Sequence, residues 1–349
     1  MFSVPAISRQ IIDSWSIHES GLPTRVVNCL KEMGINSIGG LRALSDDQLL
    51  KQKSLGRISL DHIHVFYQLC ANLEQGRQAF ANIRDVLSIF FDTDEWNVMM
   101  ARYGLQSEGM ALKPSYATLQ AIGTDEHKTR ERVRQIQEIA LQKLSSRLAS
   151  ACLHPFFKAM GWFIKEHDTI VSGDELTELR GAEWLSSFNP ASILVLLSEL
   201  PGAGFQFYSR CLSTLSIKTL SSMEQDCVRI LHDQARPVLL EDLIHMLPSP
   251  PGLDSDRQVR KVVHCLLAQN EKVACTLDSR FFELPTGIQP FLIELIRDLK
   301  RPAHYRAVTE AYNNQVKPHS RKGSGFILDL LNAQPQFTRV DRGIYDLKA

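Results

Sequence analysis

Apolar residues recur at helical spacing along most of the chain, with polar stretches between the periodic segments. Between residues 20 and 70 these segments are short. The first of them carries one apolar stripe, formed by Val26, Val27, Leu30 and Met33. It ends at Gly34, and a later segment starts at Ser45, followed by Gln48 as in a capped helix start. The pattern predicts a compact group of short helices joined by tight turns.

The longest amphipathic stretch is TRERVRQIQEIALQKL, residues 129–144. Its apolar face consists of Val133, Ile136, Ala140, Leu141 and Leu144. Thr129 precedes the first helical residue, where its hydroxyl can accept a hydrogen bond from a free backbone amide. A shorter helix and a turn come before it in TLQAIGTDEHK, residues 118–128, after a loop rich in Gly, Pro and Ser at 105–117. Together the two helices predict a helix-turn-helix.

Similar segments recur in the C-terminal half. RPVLLEDLIHML begins at residue 236 and RPAHYRAVTEAY at residue 301. CLLAQNEKVACTLDSRFFEL and DLLNAQPQFTRVDRGIYDL both pass from a leucine-rich helix end to an alternating run. Three helices followed by a β-hairpin is the order of a winged helix, so copies are predicted at 220–286 and 287–349, with a weaker one at 154–217. Chance similarity between short amphipathic helices is the alternative, most of all for the weaker copy.

The composition is that of an ordinary globular protein, with 44% hydrophobic and 22% charged residues. The formal net charge is zero, which excludes a nucleic-acid coat protein that binds through a global positive field. Any DNA binding must therefore come from local clusters of basic residues. The seven cysteines form no CxxC pair, and the histidines form no HExxH motif. This spacing favours buried free thiols in a reducing cytoplasm and predicts no metal site, disulfide or cofactor.

The sequence also bears on location and on catalysis. MFSVPAISRQIIDSW lacks the basic and apolar regions of a signal peptide, and no apolar run approaches the length that spans a bilayer. We therefore expect a cytoplasmic protein with no membrane partner. Phosphate-loop, nucleophile-elbow and dinucleotide-binding glycine motifs are missing. Acidic pairs such as Glu241–Asp242 stand at helix starts, where they complement the helix dipole. No enzyme is predicted.

The polar face of the 129–144 helix carries the candidate chemistry. Arg130, Arg132, Arg134 and Gln135 lie opposite the apolar face. Such a helix fits the DNA major groove, where arginine reaches guanine edges or phosphates and glutamine reaches adenine. The alternative is a solvated face of an ordinary helix, and it is favoured somewhat by Glu131 and Glu138, which partly neutralise the arginines.

The segments ARYGL, TLQAIG and TRERVRQIQEIALQKL closely resemble region 4 of the sigma-70 family of bacterial RNA polymerase sigma factors. In that family the second helix reads the promoter −35 element. The resemblance implies that Arg130, Glu131 and Gln135 face bases, while Arg132 and Arg134 contact phosphates. The sequence departs from the family at turn positions that are usually apolar and at positions where basic residues usually meet activators. The residues found there are Glu126 and Lys128 in the turn, and Ile139 and Gln142 near the helix end.

The stretch LPTRVVNCLKEMGINSIGGLRALSDDQLLKQKSLGRISLDHI, residues 22–63, resembles the C-terminal domain of the RNA polymerase alpha subunit. That domain is helical, has paired helix-hairpin-helix character and binds the minor groove of A/T-rich DNA. The resemblance implies DNA contacts at Arg25, Asn28, Gly56 and Ser59, with Cys29 beside them. An arginine suits a narrow minor groove, where the potential is most negative. Ser54 and Ile58 replace the usual Asn and Lys. A structural helical domain without a nucleic-acid role is the alternative.

The C-terminal repeats are similar to winged helices of the HARE type, which occur beside restriction and chromatin functions. FTRVDRGIYDL, residues 337–347, matches the wing of that family, with four residues near its tip. These are Arg339, Arg342, Gly343 and Tyr345. The basic segment KPHSRK, residues 317–322, precedes the third helix of the last copy and could meet phosphate, although a solvated loop explains it equally well.

Patterns and resemblances together predict a mostly α fold, a multi-domain array of helix-hairpin-helix, helix-turn-helix and winged-helix modules with short β-hairpin wings. The predicted domains are an alpha C-terminal-like domain at 1–70, a sigma region 4-like helix-turn-helix with a linking helix at 71–150, a divergent winged helix at 151–219, a winged helix at 220–286 and a HARE-like winged helix at 287–349.

Two functions fit this organisation. The first is a bacterial, nucleoid-associated transcription regulator that reads double-stranded DNA with the sigma region 4-like helix. The alternative is a DNA-sensing or adaptor subunit of an anti-phage defence or restriction system, with no promoter role. Double-stranded DNA is the expected partner in both cases. RNA polymerase would be the protein partner of the regulator, and a neighbouring effector protein that of the adaptor.

Overall fold

The computed structural model describes residues 6–77, 80, 82–105, 117–185, 188–248, 252–284, 286–299 and 302–348. The loop predicted at 105–117 lies outside the described residues except for its two ends. The protein divides into two compact units. The N-terminal unit comprises Met1–Glu166 and Ser172–Arg210, and the C-terminal unit comprises His167–Val171 and Cys211–Ala349.

The N-terminal unit begins with four short helices, as the hydrophobic pattern predicts, and a fifth helix of 18 residues where a short one is predicted. They are α1 (Arg9–Ser14), α2 (Thr24–Glu32), α3 (Ile38–Arg42), α4 (Asp46–Leu50) and α5 (Arg57–Glu74), with a 3-10 turn at Ile17–Glu19. Gly34 follows α2 with φ of +78°, a backbone conformation that glycine adopts without steric cost. Ser45 caps α4 in a capping box with Gln48. The predicted helix end and helix start are both confirmed.

The apolar stripes of these helices face one another. The residues with no exposed surface include Ile12, Leu30, Ile38, Leu41 and Ile63. Arg42 ties the group together at its edge, because its guanidinium lies 2.9 Å from Asp13 Oδ1 on α1 and 2.7 Å from Glu74 Oε1 on α5. Tyr67 donates a hydrogen bond to the Leu41 carbonyl over 2.9 Å. We refer to residues 8–67 as the N-terminal module.

The rest of the N-terminal unit contains helices of 7 to 20 residues. They are α6 (Ile83–Phe90), α7 (Thr93–Tyr103), α8 (Leu119–Asp125), α9 (Arg130–Leu144), α10 (Arg147–Glu166) and α11 (Pro190–Ser198), followed by strand β2 (Gln206–Tyr208). A small core of Val98, Ile122, Val133 and Ile136 joins α7, α8 and α9. Helix α10 contains Pro155 and runs across residue 150, where a domain boundary is predicted. We refer to α7–α9 as the helix-turn-helix module.

The predicted apolar face of α9 is largely confirmed. Val133, Ile136, Ala140 and Leu144 are buried, whereas Leu141 is half-buried. The buried face also includes Lys143, which is 9% exposed and was not in the predicted set.

The C-terminal unit contains two copies of the same element order. The first repeat has α12 (Ile217–Gln234), β4 (Val238–Leu239), α13 (Leu240–Met246), α14 (Asp256–Gln269), β5 (Val273–Cys275) and β6 (Arg280–Glu283). The second repeat has α15 (Ile288–Asp298), β7 (Ala303–His304), α16 (Tyr305–Gln315), α17 (Ser324–Ala333), β8 (Phe337–Asp341) and β9 (Ile344–Leu347). Both follow the predicted order of three helices and a hairpin.

Each repeat adds one short strand that the sequence did not reveal. The strand between the first two helices pairs antiparallel with the second hairpin strand, so the sheet orders are β4-β6-β5 and β7-β9-β8. In the first sheet Val238 lies opposite Phe281, and in the second Ala303 lies opposite Tyr345. Two further short strands of this unit, β1 (Ile170–Val171) and β3 (Cys211–Ser213), also pair antiparallel.

The two repeats share one core. Ala274, Phe282 and Leu284 of the first repeat belong to the same buried cluster as Ile288 and Phe291 of the second. The backbone continues the contact, because Lys317 N donates to Cys275 O over 2.9 Å and Leu277 N donates to Gln315 O over 2.9 Å. The hairpin of the first repeat is therefore covered by the second repeat.

The structure confirms the predicted fold class, a mostly helical array with small antiparallel three-stranded sheets. All seven cysteines are buried and free, as their spacing predicts. Within the described ranges, no helix has the length and apolar character needed to cross a membrane.

Candidate nucleic-acid interface

Helix α9 presents the predicted polar face to solvent. Thr129 caps the helix, since its hydroxyl accepts a hydrogen bond from Arg132 N over 3.1 Å. The five predicted residues are all exposed, whereas Val133 and Ile136 between and beyond them are buried. They are Arg130, Glu131, Arg132, Arg134 and Gln135. We call this set the α9 polar face.

The arginines of the α9 polar face are in different electrostatic states. Arg134 Nη2 lies 2.6 Å from Glu131 Oε1, and Arg134 Nη1 also pairs with Glu138. The hydrogen bond with Arg134 lowers the pKa of Glu131, and the same bond raises the pKa of Arg134. Among the described residues, the guanidinium groups of Arg130 and Arg132 form no ion pair. These two cations are therefore available to an external anion.

The turn before α9 depends on a glycine. Lys128 N donates to Gly123 O over 2.8 Å, and His127 adopts a left-handed conformation with φ of +54°. A Cβ atom at Gly123 would lie 2.6 Å from the Lys128 carbonyl oxygen, well inside contact distance. Glycine thus allows α8 and α9 to approach closely, and this approach sets the angle at which α9 is presented.

Two polar residues, Glu126 and Lys128, lie in the turn before α9. Lys128 Nζ lies 3.1 Å from Glu126 Oε2 and 3.3 Å from Asp94 Oδ1 on α7. The hydrogen bond that Lys128 donates to Glu126 raises the pKa of Lys128. An ion-pair network therefore joins the turn to α7.

A buried ion pair that the sequence analysis missed holds the other end of α9. Lys143 Nζ lies 2.6 Å from Glu95 Oε2, and both side chains are at most one-tenth exposed. The same carboxylate accepts a hydrogen bond from Asp92 N over 3.0 Å, which closes the capping box of α7. The sequence signal that could have revealed this pair is the position of Lys143, which continues the apolar stripe three residues after Ala140.

The helix-turn-helix module has a further brace within the N-terminal unit. Tyr103 donates a hydrogen bond to Glu199 Oε2 over 2.5 Å, and Glu199 caps the C-terminal end of α11. Arg102 Nη1 donates to the Ala117 carbonyl over 2.9 Å. Arg102 and Tyr103 thus make contacts within the N-terminal unit.

The N-terminal module presents its predicted contact residues at two places. Arg25 and Asn28 are exposed on α2, three residues apart and so on one face, while Cys29 is buried. Gly56 is the N-cap of α5 and is exposed, and Ser59 is half-exposed in the first turn of that helix. Ile58, which replaces a lysine of the family, is 74% exposed.

Gly56 is not required by the packing of the protein. A Cβ atom there would meet no described atom within 4 Å, and its φ of −101° suits any residue. Glycine leaves the backbone at the positive end of α5 open to a close approach, and helix N-termini attract phosphate. This position and the exposed Arg25 and Asn28 are suited to a nucleic-acid backbone and groove.

In the first repeat, the basic residues of the third helix are already engaged. Arg257 Nη2 lies 2.8 Å from Asp168 Oδ2, and Arg260 Nη2 lies 2.7 Å from Glu241 Oε2. Lys261 donates to the His167 carbonyl over 2.7 Å. All of these residues belong to the C-terminal unit, so α14 uses its cations for internal contacts.

The basic residues of the second repeat lie in its loops. In the 317–322 segment Arg321 is exposed, and Lys317 Nζ lies 3.3 Å from His264 Nε2. At the hairpin tip Arg342 is exposed, and Arg339 Nε donates to the Asp341 carbonyl over 3.2 Å. Helix α17 itself contains no lysine or arginine.

The comparisons with known proteins concern the N-terminal module. Residues 8–67 match the family of the C-terminal domain of the bacterial RNA polymerase alpha subunit. The DNA-directed RNA polymerase subunit alpha of Fusobacterium nucleatum is 47% identical over 58 residues, which are 16% of this protein and 18% of that one. The sequence thus spans less than a fifth of that relative's length. No solved structure matches it. An RNA polymerase alpha C-terminal domain is therefore found at residues 8–67, as the resemblance of residues 22–63 to that domain implies.

Proposed function

We propose that this protein is a double-stranded DNA-binding regulator of transcription, which reads sequence with α9 and makes a second DNA contact with the N-terminal module. One observation carries most weight: residues 8–67 match the alpha C-terminal domain of a transcription enzyme and leave their predicted DNA contacts exposed. The related protein from Fusobacterium nucleatum is itself a subunit of RNA polymerase. RNA polymerase is accordingly the protein partner we propose.

The α9 polar face supports the sequence-reading role. A helix of this diameter enters the major groove, and its N-terminal residues lie closest to the base edges in a helix-turn-helix. Arg130 and Gln135 have the functional groups that recognise guanine and adenine, and Arg132 can contact phosphate without losing an ion pair. We propose that the helix-turn-helix module is similar to region 4 of the sigma-70 family in how it binds DNA.

The N-terminal module supports a minor-groove contact. Arg25 and Asn28 project from one face of α2, and the open backbone at Gly56 can approach a phosphate. We propose that Arg25 enters the minor groove while the first-turn amides of α5 bind the adjacent backbone. For the C-terminal unit we propose winged helices of the HARE type, used mainly as a structural and protein-binding element, and no catalytic role for the protein.

The test is a selection of random duplex DNA on the purified full-length protein at near-physiological salt. Enrichment of a defined motif beside an A/T tract is the expected result. Binding without enrichment would favour the DNA-sensing adaptor function over the regulator function, because an adaptor needs affinity without sequence preference. Absence of binding to any duplex would reject both functions.

A further inference from the structure

We propose that the two DNA-reading surfaces of the N-terminal unit are held at one separation, so that the protein recognises a composite duplex site whose two elements have an invariant spacing and helical phase. One element is the minor-groove tract bound by the N-terminal module, and the other is the major-groove element bound by α9. This inference rests on the proposed function and specifies the class of DNA that it requires.

The first support is a close contact between the N-terminal module and the residues that flank the helix-turn-helix module. Gly21 has φ of +75°, and a Cβ atom there would lie 2.7 Å from Phe90 Cε1 on α6 and 2.9 Å from Ser146 Oγ. Ser146 is the residue just before α10, two residues after the end of α9. The backbone entering α2 is therefore packed directly against the C-terminal end of the reading helix.

The contact extends to either side of Gly21. Glu19 Oε2 lies 3.1 Å from Arg147 Nε at the start of α10. Ser20 has no exposed surface, and its hydroxyl donates to Ile17 O over 2.6 Å and accepts from Leu22 N over 3.2 Å. The segment that makes the contact thus has its own internal hydrogen bonds, which hold its conformation.

Helix packing reinforces the same arrangement. Helix α5 of the N-terminal module packs against α10, and α6 packs against both α9 and α10. Phe66 and Cys70 on α5 are buried, as are Cys152 and Phe156 on α10. Packed interiors of this kind do not deform continuously. The two modules therefore form parts of one compact unit and do not behave as domains on a tether.

The contacts limit how far apart the two DNA elements can be. From Arg130 to Ser146 the backbone rises about 24 Å at 1.5 Å per helical residue. From Gly21, beside Ser146, the four residues to Arg25 can span at most about 15 Å. With a few ångströms for the contact itself, Arg25 lies within about 45 Å of Arg130, which corresponds to about 13 base pairs of B-DNA at 3.4 Å each.

The experiment is a spacing series with the full-length protein. Starting from a selected duplex that contains both elements, five and ten base pairs are inserted between them, and the dissociation constants are compared with those of each element alone. Five added base pairs turn the second element to the opposite side of the duplex. Ten added base pairs restore the phase, because one helical turn is about 10.5 base pairs. They also move the second element beyond the distance that the two DNA-reading surfaces can span.

We expect both insertions to reduce the affinity to that of the stronger single element, a loss of about 100-fold or more, since linked sites gain at least that factor from simultaneous engagement. Recovery of the affinity with ten inserted base pairs, or tolerance of both insertions, would overturn the constant separation while leaving the proposed function standing. Failure of the protein to bind any duplex, the composite site included, would instead overturn the proposed function itself, and this inference with it.

Discussion

At the scale of single residues, the three arginines of the α9 polar face are all exposed. They differ in the ion pairs that a phosphate contact would have to replace. Arg134 is held by two carboxylates, so a phosphate contact must replace existing ion pairs. Arg132 forms no ion pair within the described residues, so a phosphate contact adds an interaction without removing one. The residue type alone does not distinguish these two cases, and the sequence therefore predicted the same role for both.

We expect Arg132→Ala to weaken binding to all duplexes about equally and to reduce the slope of log affinity against log salt by roughly one, the value for one lost phosphate contact. Arg134→Ala is the matched control and should change the slope less, because its charge is already compensated by Glu131 and Glu138. Fluorescence titrations over a salt series measure both variants. Equal slopes for the wild type and Arg132→Ala would contradict the phosphate assignment.

The double variant Arg130→Ala/Gln135→Ala should lose sequence preference, since these residues have the groups that recognise guanine and adenine edges. Each lost base contact is worth roughly 1–3 kcal/mol of discrimination. The measurement is the ratio of affinities for the selected site and a scrambled duplex. A ratio that stays at the wild-type value would remove α9 from the major groove.

The buried ion pair of Glu95 and Lys143 is expected to stabilise the fold. Lys143→Ala leaves a carboxylate without its cation in the interior, and breaking such a pair costs about 3–5 kcal/mol. We expect the lower end, because Asp92 N still donates to Glu95. Urea unfolding measures the loss. The double variant Glu95→Gln/Lys143→Met should recover a large part of it, and a double variant as unstable as the single one would argue against an ionic origin.

At the scale of secondary-structure elements, the success of sequence prediction follows the length and periodicity of each segment. Helix α9 and the hairpins of both repeats were predictable, because their apolar positions recur over many residues. Strands β4 and β7 have two residues each, too few to show a period, and only their pairing with β6 and β9 creates them. The domain boundary predicted at residue 150 lies inside helix α10, which also contains the buried Pro155 although proline usually ends a helix.

The same limit applies to the candidate site. The sequence predicted which residues of α9 are exposed, since amphipathic spacing determines the two faces. It could not predict the network of Glu126, Lys128 and Asp94, because Asp94 is 34 residues from Lys128 and meets it only in the folded module. Nor could it predict the contact at Gly21, which depends on how two modules pack.

Two glycines give a prediction at this scale. Gly123→Ala places a methyl group 2.6 Å from the Lys128 carbonyl oxygen, and the turn must open to relieve the clash. We expect a loss of about 1–3 kcal/mol in the free energy of unfolding, as for other overpacked sites. Gly56→Ala meets no described atom within 4 Å and should leave that free energy nearly unchanged.

The DNA affinity of the two variants separates folding from binding. Gly56→Ala should weaken binding to the A/T-rich element several-fold, because a methyl group obstructs the approach of a phosphate to the first turn of α5. Urea unfolding and titration with that element are measured on the same preparations. If Gly56→Ala binds like the wild type, the helix N-terminus is not a phosphate contact.

At the scale of the whole molecule, the net charge of zero hides a difference between two groups of basic residues. Some are exposed, and others form ion pairs or hydrogen bonds within the protein. The α9 polar face keeps cations exposed, whereas the corresponding third helix of the first repeat engages its cations in internal contacts. In the C-terminal unit, Arg257, Arg260 and Lys261 all meet acceptors of the same unit. The hairpin of that repeat is covered by backbone hydrogen bonds from the second repeat. A basic third helix is therefore not enough to identify a DNA reader.

This distribution predicts that the two helices respond differently to loss of charge. Arg260→Ala removes a cation that Glu241 already compensates on the protein surface, so the DNA affinity and its salt slope should stay at the wild-type values. Arg132→Ala, in the same assay, should lower both. The unfolding free energy of Arg260→Ala should stay close to that of the wild type, because an exposed ion pair contributes little to stability. A salt slope reduced by roughly one in Arg260→Ala would instead place α14 on the DNA, since only a lost phosphate contact changes that slope without loss of folding.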